Sequence, residues 1–369
     1  MLEYLFIAFT VIFCIQFVYI TFVFGVFPFA NNKSAKNSFE QPVSIIICAK
    51  NEAENLVYNL PFFLKQKYKN FEIVLINDCS IDNTLSIMEE FRNDSSIHIK
   101  IVDVEANEQF WGSKKYALTL GIKAATYEHL LFSDADCRPI SEDWITEMTT
   151  NFSEKHQIIL GYGAYTKIKN SFLNKLIRFE TLSTAIQYFS YLKIGIPYMG
   201  VGRNLAYTKS AFFNVNGFAK HIKIKSGDDD LFINQVATQK NTSYCSTSNS
   251  YTESTAKSSF KSWIQQKRRH VSTAFYYKPL HQFLLGLYAG SNFLFWVLAF
   301  LLLCFLFNWK IVTALIAVRI VAQYIVFGFS AKNLNEKDLI LFIPIFEMFL
   351  IFIQMFIFIK NLISKPTHW

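Results

Sequence analysis

Between Val43 and Ser133 the chain alternates short apolar runs with segments whose apolar residues recur every three or four positions. Val43 to Cys48, Phe71 to Ile76, Ile99 to Val104 and His129 to Ser133 are strand-length runs dominated by Val, Ile, Leu and Phe. Runs of that kind suit strands buried on both faces. Glu54 to Lys67, Asn83 to Phe91 and Ser113 to Ala125 carry the helical spacing instead. Strands alternating with helices predict an α/β domain with a mainly parallel sheet and right-handed crossovers. Asn241 to Ser259 is rich in Ser and Thr, and reads as a loop or linker or as an edge strand with a loop.

The two ends follow another pattern. Tyr4 to Asn32 and Pro279 to Trp309 contain no charge, and Ile311 to Ala331 and Leu339 to Ile359 contain one each. About 20 consecutive apolar residues are enough to cross a bilayer as a helix. The pattern therefore predicts four transmembrane helices, one N-terminal and three C-terminal. It divides the chain into an anchor over 1–32, a soluble domain over 33–278 and a membrane region over 279–369. Without a basic leader or a small-residue cleavage site, the first segment reads as a retained anchor. The lone charges Arg319 and Glu347 fall near the middle of two consecutive antiparallel helices. A lone charge there is costly, so the two are expected to pair.

Composition sharpens this division. The chain is 52% hydrophobic and only 17% charged, which does not suit an ordinary soluble enzyme. The net charge of +8 could suggest nucleic acid. However, Lys33, Lys36, Lys267, Arg268, Arg269 and Lys278 all flank the apolar segments, so a positive-inside bias explains the excess and nucleic acid is not expected as a partner. That bias puts the middle domain in the cytoplasm of a multi-pass membrane protein, with both termini outside. The six Cys show no metal-ligand spacing, and Cys14 and Cys304 lie within membrane segments, so free thiols are expected.

The chemistry concentrates where the predicted strands end. The fourth strand runs into Asp134-Ala135-Asp136, and side-chain alternation would put both carboxylates on one side of the backbone. Hard oxygen ligands at a strand's carboxyl end suit Mg²⁺ or Mn²⁺, at the edge where open α/β sheets bind ligands. The first strand is followed by Asn51-Glu52 and the second by Asn77-Asp78-Cys79-Ser80, with Asp82, Asn83 and Thr84 beyond. These residues could be turn and cap chemistry, or could contact a nucleotide. No Gly-x-Gly-x-x-Gly or Walker loop is present, which disfavours dinucleotide and P-loop folds. Gly112-Ser113-Lys114-Lys115 opens the third helix with a basic pair, either solvated or facing an anion. Gly200-Val201-Gly202-Arg203-Asn204 is a turn that could bring backbone close to a ligand. In Ser226-Gly227-Asp228-Asp229-Asp230 three carboxylates repel one another, and partial burial would raise one of them towards a useful general base. Trp263 to His270 sets an aromatic beside Lys267, Arg268 and Arg269, which suits lipid headgroups or a diphosphate.

In this order, from about Val43 to His270, the segments resemble membrane-bound inverting family-2 glycosyltransferases of GT-A fold. Val43 to Ile47 with Asn51-Glu52 resembles their opening strand, and Asn77 to Ser80 with Asp82-Asn83-Thr84 their uracil-contacting segment. Lys114 stands where the family has a lysine before Ala-Leu, and Asp134 and Asp136 resemble its metal motif. Asn204 to Tyr207 with Gly217-Phe218 resembles its acceptor-side segment, and Gln265-x-x-Arg268-Arg269 is similar to its Gln-x-x-Arg-Trp signature. Two positions depart from the pattern. Gly227-Asp228 stands in place of a Glu-Asp pair, so that alignment on Leu231 makes Asp228 the base with Asp229 one register away. Arg269 stands in place of the signature Trp.

The resemblance implies metal-dependent, inverting transfer from a nucleotide-sugar, by implication a UDP-sugar, to a lipid-linked or polysaccharide acceptor at the inner membrane face. Asp228 would be the base, and Asp229 is expected to be solvated or to cap the following helix. Asp134 and Asp136 would hold the metal. Asn51, Glu52, Asp78, Lys114, Asp134, Gln265, Arg268 and Arg269 would hold the donor, and membrane lipids would surround the helices. The alternative is a non-catalytic membrane protein that binds sugar nucleotides as a sensor or scaffold.

Overall fold

A computed structural model describes residues 1–30, 39–105 and 114–364; Lys33, Lys36, Gly112 and Ser113 lie outside the described residues. The chain divides into two compact units. One comprises Met1–Asn31, Ser171–Gly195 and Ser259–Pro366, and the other Asn32–Asn170 and Ile196–Ser258.

The second unit is the α/β domain. Four strands, β1 Val43–Ala49, β2 Phe71–Asp78, β3 His98–Val104 and β4 His129–Asp134, form its parallel half. Helices α2 Ala53–Leu64, α3 Thr84–Asp94 and α4 Lys114–Ala124 connect them. Every residue of β2 is buried, as continuous apolar strands between two layers must be. α2 turns Leu56, Leu60 and Phe63 inward, at the i, i+4, i+7 spacing read from the sequence.

Beyond β4 the sheet changes direction. β8 Leu205–Thr208 runs antiparallel to both β4 and β6 Ile158–Leu160, and β9 Thr242–Tyr244 lies parallel to β6. The strand order is β3-β2-β1-β4-β8-β6-β9. A second, three-stranded sheet has β10 Thr252–Ser254 between β5 Cys137–Pro139 and β7 Gly163–Tyr165. The Ser/Thr-rich stretch thus supplies an edge strand of one sheet and the central strand of the other. Short helices α5 Trp144–Thr149, α7 Lys209–Phe213 and α8 Asp230–Val236 complete the unit. One core cluster joins Ile45, Ile47, Leu56, Leu60, Ile73, Trp144 and Met148.

In the first unit, α1 Leu2–Val18 continues through turns at Tyr19–Val23 and Phe24–Val26. α10 Pro279–Cys304, α11 Trp309–Asn333 and α12 Ile343–Ile363 follow near the C-terminus, the last preceded by a tight turn at Lys337–Phe342. All four segments are long and apolar enough to cross a membrane, with mean hydropathies of 2.4, 1.9, 2.0 and 2.4. Arg319 Nη1 and Nη2 donate to the two carboxylate oxygens of Glu347 at 2.9 and 2.8 Å, so the expected pair forms. Arg319 Nη2 also donates to Asn292 Oδ1 (2.7 Å) and Gln16 Oε1 (3.1 Å), which joins all four helices in one network.

Two further helices, α6 Phe172–Lys193 and α9 Phe260–Thr273, belong to this unit although the sequence pattern assigns them to the soluble domain. The buried Arg178 of α6 holds Glu336 and Asp338, and Glu180 pairs with Lys267 of α9.

Candidate active site

Parallel strands in register bring their ends together. Ala49 lies opposite Asn77, and Cys48 opposite both Ile76 and Asp134. The segments that follow β1, β2 and β4 therefore leave the sheet along one edge. Asn51 turns there with φ 56°, a conformation asparagine tolerates better than most residues. Its side chain accepts from Ile81 N (2.9 Å), and its amide donates to Ser80 Oγ (3.0 Å). Glu52 N donates to Thr84 Oγ1 (2.9 Å) and Ala53 N to Asp82 Oδ2 (3.3 Å). The two post-strand segments are thus laced into one surface. Asp78 ends β2 beside it and is nearly buried. Asp82 also binds Thr84 N and Oγ1, so it is at least a cap for α3.

Asp134 is the last residue of β4, while Asp136 sits in the turn before β5. The turn, and not strand alternation, brings them together: ligand atoms of Asp134, Asp136 and Cys137 lie within 4.8 Å of one another. Burial alone would raise the Asp134 carboxyl, but the charge and hydrogen bond of Lys114 hold it below its ordinary value. Burial and the neighbouring charge of Asp134 push Asp136 up. Glu52 is also raised, first by burial and then, against a hydrogen bond from Asn55, by the charges of Asp136 and Asp134.

The donor set fits a hard divalent cation. Two carboxylates supply oxygen ligands, and Mg²⁺ and Mn²⁺ commonly take the rest of their shell from water and substrate phosphate. Burial and the adjacent carboxylates raise the Cys137 thiol well above its ordinary pKa, and its soft sulfur suits such a cation less well than the two carboxylates do.

Lys114 joins this pair to the acidic run. Its Nζ lies 2.7 Å from Asp134 Oδ1 and 3.1 Å from Asp228 Oδ2. Asp229 keeps partial solvent exposure. It accepts from Gly202 N and from Asp230 N, both at 2.7 Å, and so caps α8 as expected. Burial, then the charges of Asp228 and Asp230, push its carboxyl up to about 7. These residues border a cleft lined by Ile46, Cys48, Phe132 and Tyr207, whose empty volume with open solvent included is about 330 Å³.

Arg203 was legible only as part of a glycine-rich turn, yet it is an electrostatic neighbour of both the Asp134 and the Asp136 carboxylates. Its guanidinium stacks 4.3 Å from the Tyr165 ring centroid and donates to Ser254 Oγ and Ala164 O. Asn204, by contrast, is structural: buried, it donates to Tyr162 O and Ser250 O and accepts from Trp144 Nε1. Asn51, Glu52, Asp78, Lys114, Asp134, Asp136, Asp228 and Asp229 all belong to the α/β unit. Gln265, Arg268 and Arg269 lie on α9 in the other unit. There the Arg268 guanidinium donates to Asn361 Oδ1 (2.9 Å) and to Ser364 O (2.5 Å) and Oγ (2.9 Å).

Residues 44–216 match the family model described as glycosyl transferase family 2. The poly-beta-1,6-N-acetyl-D-glucosamine synthase of Staphylococcus epidermidis is 32% identical over 163 residues, 42% of this chain and 37% of that protein. An uncharacterized glycosyltransferase of Haemophilus influenzae is 33% identical over 128 residues, 34% of this chain and 37% of its own length. The aligned stretch thus spans little more than a third of these relatives. A mannosyltransferase from Pyrobaculum calidifontis, solved with GDP-Man and Mn²⁺, superposes with a TM-score of 0.61 at 14% identity, covering 91% of this chain and 99% of that one. The architecture is the GT-A fold with one N-terminal and three C-terminal candidate membrane helices.

Proposed function

Because the chain carries a glycosyl transferase family 2 domain over residues 44–216, we propose that it transfers a sugar from a nucleotide-sugar to a lipid-linked or polysaccharide acceptor, with inversion at the anomeric carbon. A UDP-sugar is the donor in this reading. The acceptor is met at the inner face of the membrane in this reading; the basic residues beside the apolar segments support a cytoplasmic catalytic domain within residues 33–278. The observation that carries the reading is Lys114: one ammonium spans a carboxylate of the metal pair and Asp228, which ties the two halves of a displacement together.

Asp228 accepts the proton of the attacking acceptor hydroxyl as the new bond forms, and the nucleoside diphosphate leaves. Asp134 and Asp136 would hold Mg²⁺ or Mn²⁺, which when bound supplies charge stabilisation to the departing diphosphate. Lys114 holds Asp134 ionised and orients Asp228. Asn51, Glu52 and Asp78 line the edge proposed for the nucleoside. By the family resemblance Gln265, Arg268 and Arg269 would also meet the donor, and the bonds Arg268 makes to Asn361 and Ser364 would have to open for it to take a diphosphate.

Incubation of the purified full chain with UDP-sugars, Mn²⁺ and membrane lipid extract should release UDP, and EDTA should abolish the release. Absence of nucleotide release from any nucleotide-sugar would overturn the reading.

A further inference from the structure

Lys115 looks in the sequence like half of a solvated lysine pair. In the fold it is 1% exposed. Its Nζ donates to His221 O (2.9 Å), Ile224 O (2.9 Å) and Ser226 O (2.8 Å). An ammonium has three N–H donors, and all three are matched by main-chain carbonyls. The carbonyls run from the end of the turn at Ala219–His221 through the irregular stretch before α8; His221 O also accepts from Ile224 N (3.0 Å), and the Lys115 ammonium ties it to the other two. Burial lowers the Lys115 pKa to about 8, partly offset by the charges of Asp228, Asp230 and Asp229. A buried cation is costly, and an apolar side chain could fill the space without that cost. What the ammonium adds is three fixed points on the backbone.

That backbone leads directly to Asp228. After Ser226 comes Gly227 at φ +90°, where a Cβ would also lie 2.5 Å from Leu231 Cδ1. Asp228 follows, and Asp229 closes the stretch by capping α8. The preceding residue on α4, Lys114, takes the Asp228 carboxylate itself. Consecutive helical residues project about 100° apart, so one turn of α4 can reach both the side chain and the backbone of the same segment. α4 is in turn seated on β2 through Gly121, where a Cβ would come within 2.1 Å of Ile76 Cδ1.

We propose that Lys115 is a positioning residue for the general base: by holding the carbonyls of His221, Ile224 and Ser226 it fixes the backbone from which Asp228 meets the acceptor hydroxyl. The inference rests on the transferase reading above. It assigns a role that neither the lysine's sequence neighbourhood nor the acidic run discloses.

The test uses the purified full-length chain, with UDP release as the activity readout and hydrogen exchange of residues 222–228 as an independent one. Lys115→Met should lower kcat about 10- to 100-fold, the range a displaced catalytic group produces. The KM for the donor should stay within about threefold, since the metal pair and nucleoside edge are untouched. Amide exchange in 222–228 should quicken while the remaining strands keep their protection. Lys115→Arg keeps the charge and should fold even if the Met variant does not. Its planar fork cannot converge on three carbonyls around one point, so it too should lose kcat. In combination with Asp228→Asn, the Lys115 change should add little further loss, because it acts through that carboxylate. An active parent whose Lys115 variants match it in kcat overturns the inference alone. So does a Lys115→Met change that multiplies fully with Asp228→Asn, or one that lowers donor affinity as much as kcat. An inactive parent overturns the transferase reading and the role of the base with it.

Discussion

Arg319 in the helical unit meets one carboxylate, Glu347, and also donates to Asn292 and Gln16, and it is wholly inaccessible. Lys114 in the α/β unit meets two carboxylates, Asp134 and Asp228, with Asp136 close by, and its side chain is 21% exposed. The first cluster is neutral and closed by amides that can donate or accept as required. The second carries more carboxylates than Lys114 and the neighbouring Arg203 can neutralise, and burial and then the charge of Asp134 push one of them, Asp136, above its ordinary value. Balanced, sealed charge is what helix packing in an apolar setting requires. Excess negative charge at an accessible sheet edge costs stability unless a cation or a reacting group completes it. The difference separates an architectural ion pair from the kind of cluster the proposed transfer needs, without reference to family.

The sharpest way to break the comparison is to remove the surplus charge. Asp136→Ala should lose turnover and divalent-ion dependence while keeping expression and thermal stability. A variant that loses its fold instead would make the acidic cluster architectural after all, and full activity of the parent in EDTA would remove the metal from the account.

The next largest effect concerns Asp228. Asp228→Asn should reduce transfer about 10²- to 10⁴-fold at saturating donor with donor binding intact. Asp229→Asn should be milder. Its amide nitrogen would confront one of the two N–H groups that the carboxylate now accepts, a loss of about 1 kcal/mol. A dead Asp229→Asn beside an active Asp228→Asn would shift the base by one residue.

On the architectural side, Arg319→Glu or Glu347→Arg alone should destabilise the bundle by about 3–5 kcal/mol, because each leaves like charges buried together. The double exchange should recover part of this, since Asn292 and Gln16 can turn their amides around. Detergent-solubilised yield and thermal midpoint decide the matter: an exchange no better folded than either single change would remove the pair's role.

The smallest effect is one of pH. The folded pKa of Asp229, about 7, lies above the value near 3.9 expected unfolded. Its favourable contribution is therefore complete below pH about 4 and is lost as pH rises through about 7. The parent's thermal midpoint should decline between about pH 4 and 7 more steeply than that of Asp229→Asn, and the two slopes should converge above that. Parallel declines would show that the carboxyl titrates elsewhere.

How much of this was readable in advance follows from the physics of each segment. β1 to β4 were legible because strands buried on both faces leave continuous apolar runs, and the four candidate spans because sustained hydrophobicity is hard to mistake. β8, with only four residues, carries too little pattern to reveal that it runs antiparallel to β4. α6 was hidden by Lys175, Arg178 and Glu180, which resemble a solvated surface until Glu336 and Asp338 are seen to neutralise Arg178. The Asp134–Asp136 pair was legible as a motif, though the turn that assembles it was not. Lys115 could not be told from Lys114, because identity says nothing about which of two neighbours faces inward.

The hydrogen bonds that lace the segment after β1 to the segment after β2 bear on engineering. Asn51 answers Ser80 and Ile81, Glu52 answers Thr84, and Ala53 answers Asp82, so each segment holds part of the other's shape. Grafting one of them from another protein to alter the proposed nucleoside edge would import half of a matched pair. The unit of exchange is both segments together, and libraries that vary 50–53 and 80–84 jointly should yield folded variants far more often than libraries that vary either one.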